Sequence, residues 1–565
     1  MLSYRKLAMR VLGRPLNTGG GISQTRPLSQ RAAALTLTAA LLTGAAFPAF
    51  AGTYYIENGD IVISAGTETG TNKVEQGGTL KSENDKGTII TNHDKDKASS
   101  NTVTIDANGK NDKVEVTLKD VNIDASRGSE AAVSVTGKGD TTIELDGDNE
   151  LKSGAGHAGL EHNKTDTSGE LTIQDKDNNG SLEAAGGFKG AGIGSAGSND
   201  AQVKITGGNI TATTSDDWGA GIGSGSYGTG TVEITGGEIN ATGGYLGAGI
   251  GGGCNGSGNV TISGGTITAA GSDGAAGIGG GYYNGATVTI TGDAVIKNAS
   301  STKYGAGIGG GNGSDGNVTI SGNAKIENAT GGYGAAGIGG GAFSSPDKIG
   351  NGNVVIKDNA KIDNVQGGAY GAGIGGGIYG LSNVTIEGNT KVNATGGAGG
   401  AAIGGGAGAE NNSDNNGNQI TIKSNENGSP TINAVGGGTD EGEKIVIGGA
   451  GIGAGCESDA DADITLEGKV TITATAGKDN VAIGANGIEQ EFSGLAEGSS
   501  ITRYDSEGND ITLPTDPVPA VPSSSGGGSA DASVQESVFP GLVVTDKDGQ
   551  RISYTSIRGN NVLSI

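Results

Sequence analysis

Helical patterning is missing from this chain, and most of the residues that build an active site are scarce. No stretch between residues 52 and 500 places apolar residues at the 3.6-residue spacing of an amphipathic helix, which excludes helical folds. Beyond residue 51 no apolar run approaches the roughly twenty residues needed to cross a bilayer, which excludes membrane insertion by a mature segment. Only two cysteines and three histidines occur, aromatic residues make up 4%, and between Gly52 and residue 502 the sole arginine is Arg127. His157 and His162 therefore lack the third histidine or the ligand-spaced cysteine that would make them a metal pair.

What is abundant is glycine, 115 residues of 565, and it recurs in order. A phrase such as Gly-Ala-Gly-Ile-Gly at 219–223 returns around Ile193, Ile222, Ile250, Ile278, Ile308, Ile338, Ile374, Ile403, Ile452 and Ile483. Most intervals are 28 to 30 residues, the mark of one unit stacked on copies of itself. Between phrases stand alternating segments such as Val260-Thr261-Ile262 and Val318-Thr319-Ile320, which read as half-buried strands. A Gly-Gly, Gly-Asn or Gly-Asp turn follows, and then a second aliphatic position at Ile210, Ile239, Ile267, Ile326, Ile362 or Val392. With the Ile-Gly phrase as a third strand, the expected fold is an all-β, right-handed parallel β-helix with three short strands per coil of about 29 residues. Propeller blades would need about 40 residues and four strands. Asn240, Asn298, Asn328, Asn364, Asn393 and Asn433 follow the second strand and predict an amide ladder pointing into the stack. Four of them also open Asn-X-Ser/Thr sequons, a weaker reading beside the ladder.

Residues 1–51 carry six basic residues and no acid, an apolar run from Ala32 to Ala46, and Ala49-Phe50-Ala51, the pattern of a signal peptide cleaved after Ala51. Export, with a secreted or surface-associated product, is the expectation. The mature chain then holds 30 basic against 61 acidic side chains, a net charge of about −31. That balance disfavours nucleic acid and anionic membranes and attracts cations. Residues 52–190 are expected to form a cap and irregular coils, 191–500 the regular repeats, 501–530 a Pro/Ser/Gly-rich linker and 531–565 a short β tail around Asp546-Lys547-Asp548-Gly549. Cys254 and Cys456 each lie four residues after a repeat isoleucine, at least six coils apart. About 29 Å of stacking then separates them, too far for a disulfide.

Eleven aromatic residues between 188 and 380 fall four or five positions before or after a repeat isoleucine, whereas residues 56–187 hold none. Stacking the coils predicts two aromatic columns on the margins of a flat glycine/alanine strip. Trp218, Tyr245, Tyr283, Tyr304, Tyr333, Tyr370 and Tyr379 are the residues expected to stack on sugar rings, with bare backbone between them for hydroxyls. The bland alternative is that the rings pack on one another and shield the strip. For calcium the candidate is Asp175-Lys176-Asp177-Asn178-Asn179-Gly180, which matches the first half of an EF-hand loop, with Asp175, Asp177 and Asn179 as ligands. Gly186 stands where the twelfth-position glutamate belongs, so a complete EF-hand is excluded and a polar turn is the alternative. Asp216-Asp217 beside Trp218, and Asp546 with Asp548, are weaker candidates of the same kind.

Catalysis finds little support. Pectate-lyase-like sites set calcium carboxylates beside an Arg or Lys, and polygalacturonase-like sites need clustered aspartates with a nearby histidine. Here His93, His157 and His162 all precede the regular coils, although a lysine base stays open. The segments Val114–Asp124, Ala131–Val135, Thr142–Leu151, Ala155–Leu160 and Leu171–Ile173, taken with the Gly-Ala-Gly-Ile-Gly repeats, resemble the carbohydrate-binding, pectate-lyase-like β-helix family of secreted bacterial proteins. That resemblance covers roughly residues 100–490 and implies a calcium-binding solenoid that attaches to polysaccharide without cleaving it. The expected protein is thus a non-enzymatic, monomeric, adhesin-like binder of polysaccharide or cell-surface glycan. A ligand-free structural spacer and a polysaccharide lyase are the alternatives.

Overall fold

Val260 and Ile262 are buried and Thr261 between them is exposed, the alternation of a strand with one wet face. The computed structural model of the chain, which describes residues 52–214, 218–343, 348–411, 417–439, 447–518 and the backbone of 557–559 and 562–564, repeats this unit coil after coil. The product is a right-handed parallel β-helix of about 13 turns, all-β among the described residues apart from a single 3-10 turn at Ile56–Asn58. Three sheets run along it. The first stacks strands such as Gly230–Ile234, Gly258–Ile262 and Ala286–Ile290, the second Glu238–Thr242, Thr266–Gly271 and Val295–Ser301, the third the two-residue Ile-Gly strands.

Each strand pairs in parallel with its equivalent one coil on: Val260 with Val288, Ile239 with Ile267, Ile278 with Ile308. The ten repeat isoleucines therefore form one buried column. The interior is filled by Ile, Val, Leu and Ala; Tyr54 and Phe492 only pack against it near its two ends. A narrow tube admits one layer of branched aliphatic side chains per coil, and larger rings have no place in it.

Residues 52–190 extend the same stack without the Ile-Gly phrase. Val103–Ala107 pairs with Val133–Gly137, and Lys113–Lys119 with the first half of Asp140–Lys152. An antiparallel meander, Ile61–Ala65, Asn72–Gln76 and Thr79–Asp85, lies at the N-terminal end.

At the other end the structure corrects the reading of a linker from residue 501. Ser500–Tyr504 adds a last strand to the second sheet. Arg503 is fully buried beneath it: Nε and Nη2 donate to the Asp516 carboxylate at 2.7 and 3.0 Å, Nη1 donates to Glu489 at 2.5 Å, and Nη2 also reaches the Gln490 carbonyl. One side chain thus ties residues 489–516 across the final coil, which loop composition alone does not show.

The asparagine ladder is also corrected. Asn364 donates to Asn328 at 3.0 Å, but Asn364, Asn393 and Asn433 are exposed, because the neighbouring Val365, Ala394 and Ala434 take the inward positions. A better ladder, Asn389 to Asn359 to Asn323, runs along a different turn. The chain divides after Val518. In the C-terminal unit Ile557–Gly559 pairs antiparallel with Val562–Ser564. The leader 1–51, Asp216-Asp217, the linker from residue 519 and the segment around Asp546–Gly549 lie outside the described residues.

Candidate functional site

The Ile-Gly phrase turns out to be re-entrant. Two residues before the isoleucine an N–H donates to the carbonyl two residues after it, as Ala248 to Gly252 and Ala306 to Gly310, both at 2.9 Å. The isoleucine at the tip of this narrow turn enters the core, and a loop rises on either side. The glycine after it must adopt positive φ, +136° at Gly309, where a Cβ would lie 2.1 Å from the Gly339 carbonyl of the next coil.

The two loops then meet. The N–H of the residue four after one isoleucine donates to the carbonyl of the residue four before the isoleucine of the preceding coil: Cys254 to Trp218, Ala342 to Tyr304 and Ala407 to Tyr370, at 2.7 to 2.8 Å. This seals the strip. Residues 219–226, 247–254 and 305–312 are buried throughout, so the open, flat glycine track expected from the sequence does not exist. Its place is taken by a double row of loop tips meeting along one seam.

Most of the loops turn in the left-handed backbone region, four residues before the isoleucine or five after it. Glycine or asparagine fills several of these positions, as at Gly274, Gly334, Gly399, Asn255, Gly313 and Gly408, and Lys189, Ser198, Leu246, Glu457 and Asp479 fill one each. Tyrosine fills five others: Tyr227 (φ +66°), Tyr283 (+61°), Tyr304 (+51°), Tyr370 (+73°) and Tyr379 (+62°). A side chain there costs roughly 1 kcal/mol or more relative to glycine.

The rings do gather on one side of the molecule. Tyr304 meets Tyr333 at 6.1 Å and Tyr333 meets Tyr370 at 5.6 Å, with interplanar angles of 88° and 69°. Phe188, Trp218 and Tyr227 form a second group at 5.8 and 6.5 Å, and Tyr282, Tyr283 and Phe343 a third at 3.8 and 5.6 Å. Edge-to-face and tilted packing makes these clusters stepped, where the sequence predicts flat columns. Tyr227 is 56% exposed, Tyr245 48%, and Phe188 and Tyr333 42% each. Lys348 places its ammonium 4.0 Å from the Tyr283 ring centre, so one face of that ring is already engaged. Lys189 lies 5.2 Å from both Phe188 and Trp218. No spacing rule ties these lysines to the rings. The ring of Tyr379 lies against Gly408 of the next coil.

Cys254 and Cys456 are free, buried thiols of the same loop row, and burial pushes both pKa values up to about 11. They pack as small apolar side chains.

At the acidic turn, oxygens of Asp175, Asp177 and Glu144 lie within 4.8 Å of one another. Glu144 comes from the preceding coil, which is why the linear motif misses it. Asn179 is not turned toward a shared ion: its amide donates to Asp177 Oδ2 at 3.1 Å, while Asp175 accepts the N–H groups of Asn179 and Gly180. The Lys176 ammonium is 3.5 Å from Glu144 Oε2. Much of the cluster's capacity is therefore used in bracing the turn.

The histidines separate. His93 stacks on Tyr55 with ring centres 3.7 Å apart, His162 is buried with Nδ1 3.0 Å from the Gln202 carbonyl, and His157 Nδ1 is 2.8 Å from Glu161.

Four stretches, residues 203–226, 232–254, 260–282 and 318–342, match the family model described as a beta helix repeat. Each begins in the first sheet and ends in the loop beyond the re-entrant isoleucine, so the matched unit is the coil described above. No curated protein and no solved structure matches the chain.

Proposed function

We propose that this β-helix repeat protein is exported and binds a polysaccharide or cell-surface glycan without cleaving it, along the double row of loop tips. One observation carries the reading: five tyrosines occupy left-handed turns that several other coils fill with glycine or asparagine, and the remaining occupants, Lys189, Ser198, Leu246, Glu457 and Asp479, are all different from one another. Backbone geometry disfavours any side chain at those positions, and tyrosine, five of the ten occupants that are neither glycine nor asparagine, is the one that recurs. Sugar C–H faces stack on such rings, and repetition along the coils adds weak contacts through multivalency. Because the clusters are stepped, the contacts fall on separate exposed rings, with Tyr245 and Tyr333 of the expected set and also Tyr227 and Phe188.

Replacing Tyr245, Tyr304, Tyr333 and Tyr370 by Ala tests this directly. Lost retention on insoluble polysaccharide with an unchanged melting temperature supports glycan binding. A lowered melting temperature with retention intact supports the spacer reading, which the edge-to-face contacts favour. Calcium, if bound, belongs at Glu144, Asp175 and Asp177, and carboxylate oxygen is the donor it prefers. Adding millimolar calcium to chelated protein should then raise the melting temperature, and Asp177→Asn should abolish the rise.

A further inference from the structure

In the coils of Ile61, Val103 and Val133 the third sheet is an ordinary strand, and its outward side chains stack as Val62, Thr104 and Ser134. The next residue in that column is Glu161, after which every coil has glycine and the raised loops. The step between the flat opening coils and the first loop, Gly154–Ala158, is a cleft of about 350 Å³. Asp60, Thr104, Glu130, Ser134, His157 and Glu161 line it, and no lysine or arginine does.

Glu161 forms its floor, only 5% exposed, and accepts hydrogen bonds from the Ala158 N–H at 3.1 Å, from Asn163 at 2.9 Å and from His157 Nδ1 at 2.8 Å. The first bond takes the place of the carbonyl that closes the turn in later coils, so Glu161 also shapes the loop. With Nδ1–H committed to the carboxylate, His157 keeps Nε2 as the nitrogen left to accept a hydrogen bond. Asp60 Oδ1 accepts the Thr102 N–H at 2.8 Å. The Glu130 carboxylate is exposed and makes no hydrogen bond or ion pair to any described residue. The cleft also lies at the end of the aromatic row, because the Gly156 N–H donates to the Phe188 carbonyl at 2.7 Å.

We propose that this cleft binds the cationic unit of a glycan, an amino sugar with a free ammonium group. Asp60 and Glu130 accept from the ammonium, while Thr104, Ser134 and His157 Nε2 meet the hydroxyls. A pocket with three carboxylates, several hydroxyls and no lysine or arginine, its one histidine paired with Glu161, disfavours uronates and phosphates and suits a cation that also needs many hydrogen-bond partners. Its volume is at the small end for ligand sites, room for a short saccharide. The ligand class rests on the glycan reading above, but the residues are different.

The test is titration calorimetry of the chain with a glucosamine oligomer and its N-acetylated counterpart at physiological salt. The free-amine oligomer should bind and the acetylated one should not. Glu130→Gln, at an exposed position, should weaken binding at least about tenfold, the loss of one charge-assisted contact. Glu497→Gln, an exposed carboxylate at the far end of the solenoid, should leave it unchanged. Equal binding of both oligomers, equal weakening by Glu130→Gln and Glu497→Gln, or no effect of Glu130→Gln would each overturn the assignment. Failure of the aromatic reading shows elsewhere, as an unchanged retention of neutral polysaccharide by the tyrosine variants.

Discussion

A tyrosine at a left-handed turn separates packing from binding in a way that few side chains allow. Tyr379→Asn keeps a residue suited to positive φ and removes the ring, so the protein should keep or gain up to about 1 kcal/mol of stability in denaturant titration. A loss of more than that would mean that the ring's contact with Gly408 outweighs the backbone strain. His162 gives a residue-scale pH dependence. Burial holds its pKa below the ordinary 6.5, with Lys164 acting in the same sense, so below that pH the unfolded chain takes up a proton that the folded one refuses. Stability should therefore fall as pH drops through about 6.5 and level off once the folded ring also titrates. In paired melts His162→Gln should show a shallower fall than the parent protein. The tyrosine spacing was visible in the sequence; the φ of each position was not, since the loop path depends on bonds between coils.

At the scale of the element, the re-entrant turn depends on a residue without a side chain. Gly309→Ala forces a Cβ against the Gly339 carbonyl at positive φ and should cost about 2–4 kcal/mol. Hydrogen exchange should show that loss concentrated in the coils of Ile308 and Ile338, because each coil is held by its neighbours. Three strands per coil were legible because Val-x-Ile alternation and the glycine turns act locally. The sealed seam was not, since a run of glycine and alanine reads equally well as open backbone or as tightly packed loops. Only the cross-coil bonds, such as Cys254 to Trp218, decide between them.

For the whole molecule the ends matter most, because a solenoid leaves an open sheet edge at each. Arg503, Asp516 and Glu489 secure the C-terminal one. Arg503→Ala leaves two carboxylates without their partner in the cap and should cost about 3–5 kcal/mol. The expected readout is early, separate melting of the last coils, with proteolysis beginning between residues 484 and 518. A single cooperative melt at the parent temperature would show that the cap contributes nothing to the stack.

The sequence by itself determined the coil: a period near 29 with fixed aliphatic positions leaves no other way to bury one face of each strand, and it keeps the two cysteines apart. Tertiary structure alone decided which surfaces are open. It closed the glycine strip, turned the asparagines outward, brought Glu144 to Asp175 and made residues 500–518 a cap. The first and third depend on groups that face each other between neighbouring coils, roughly thirty residues apart, where no local pattern reaches; the asparagines are set by which neighbour takes the inward position, and the cap by Arg503 reaching Asp516 and Glu489 across the last coil.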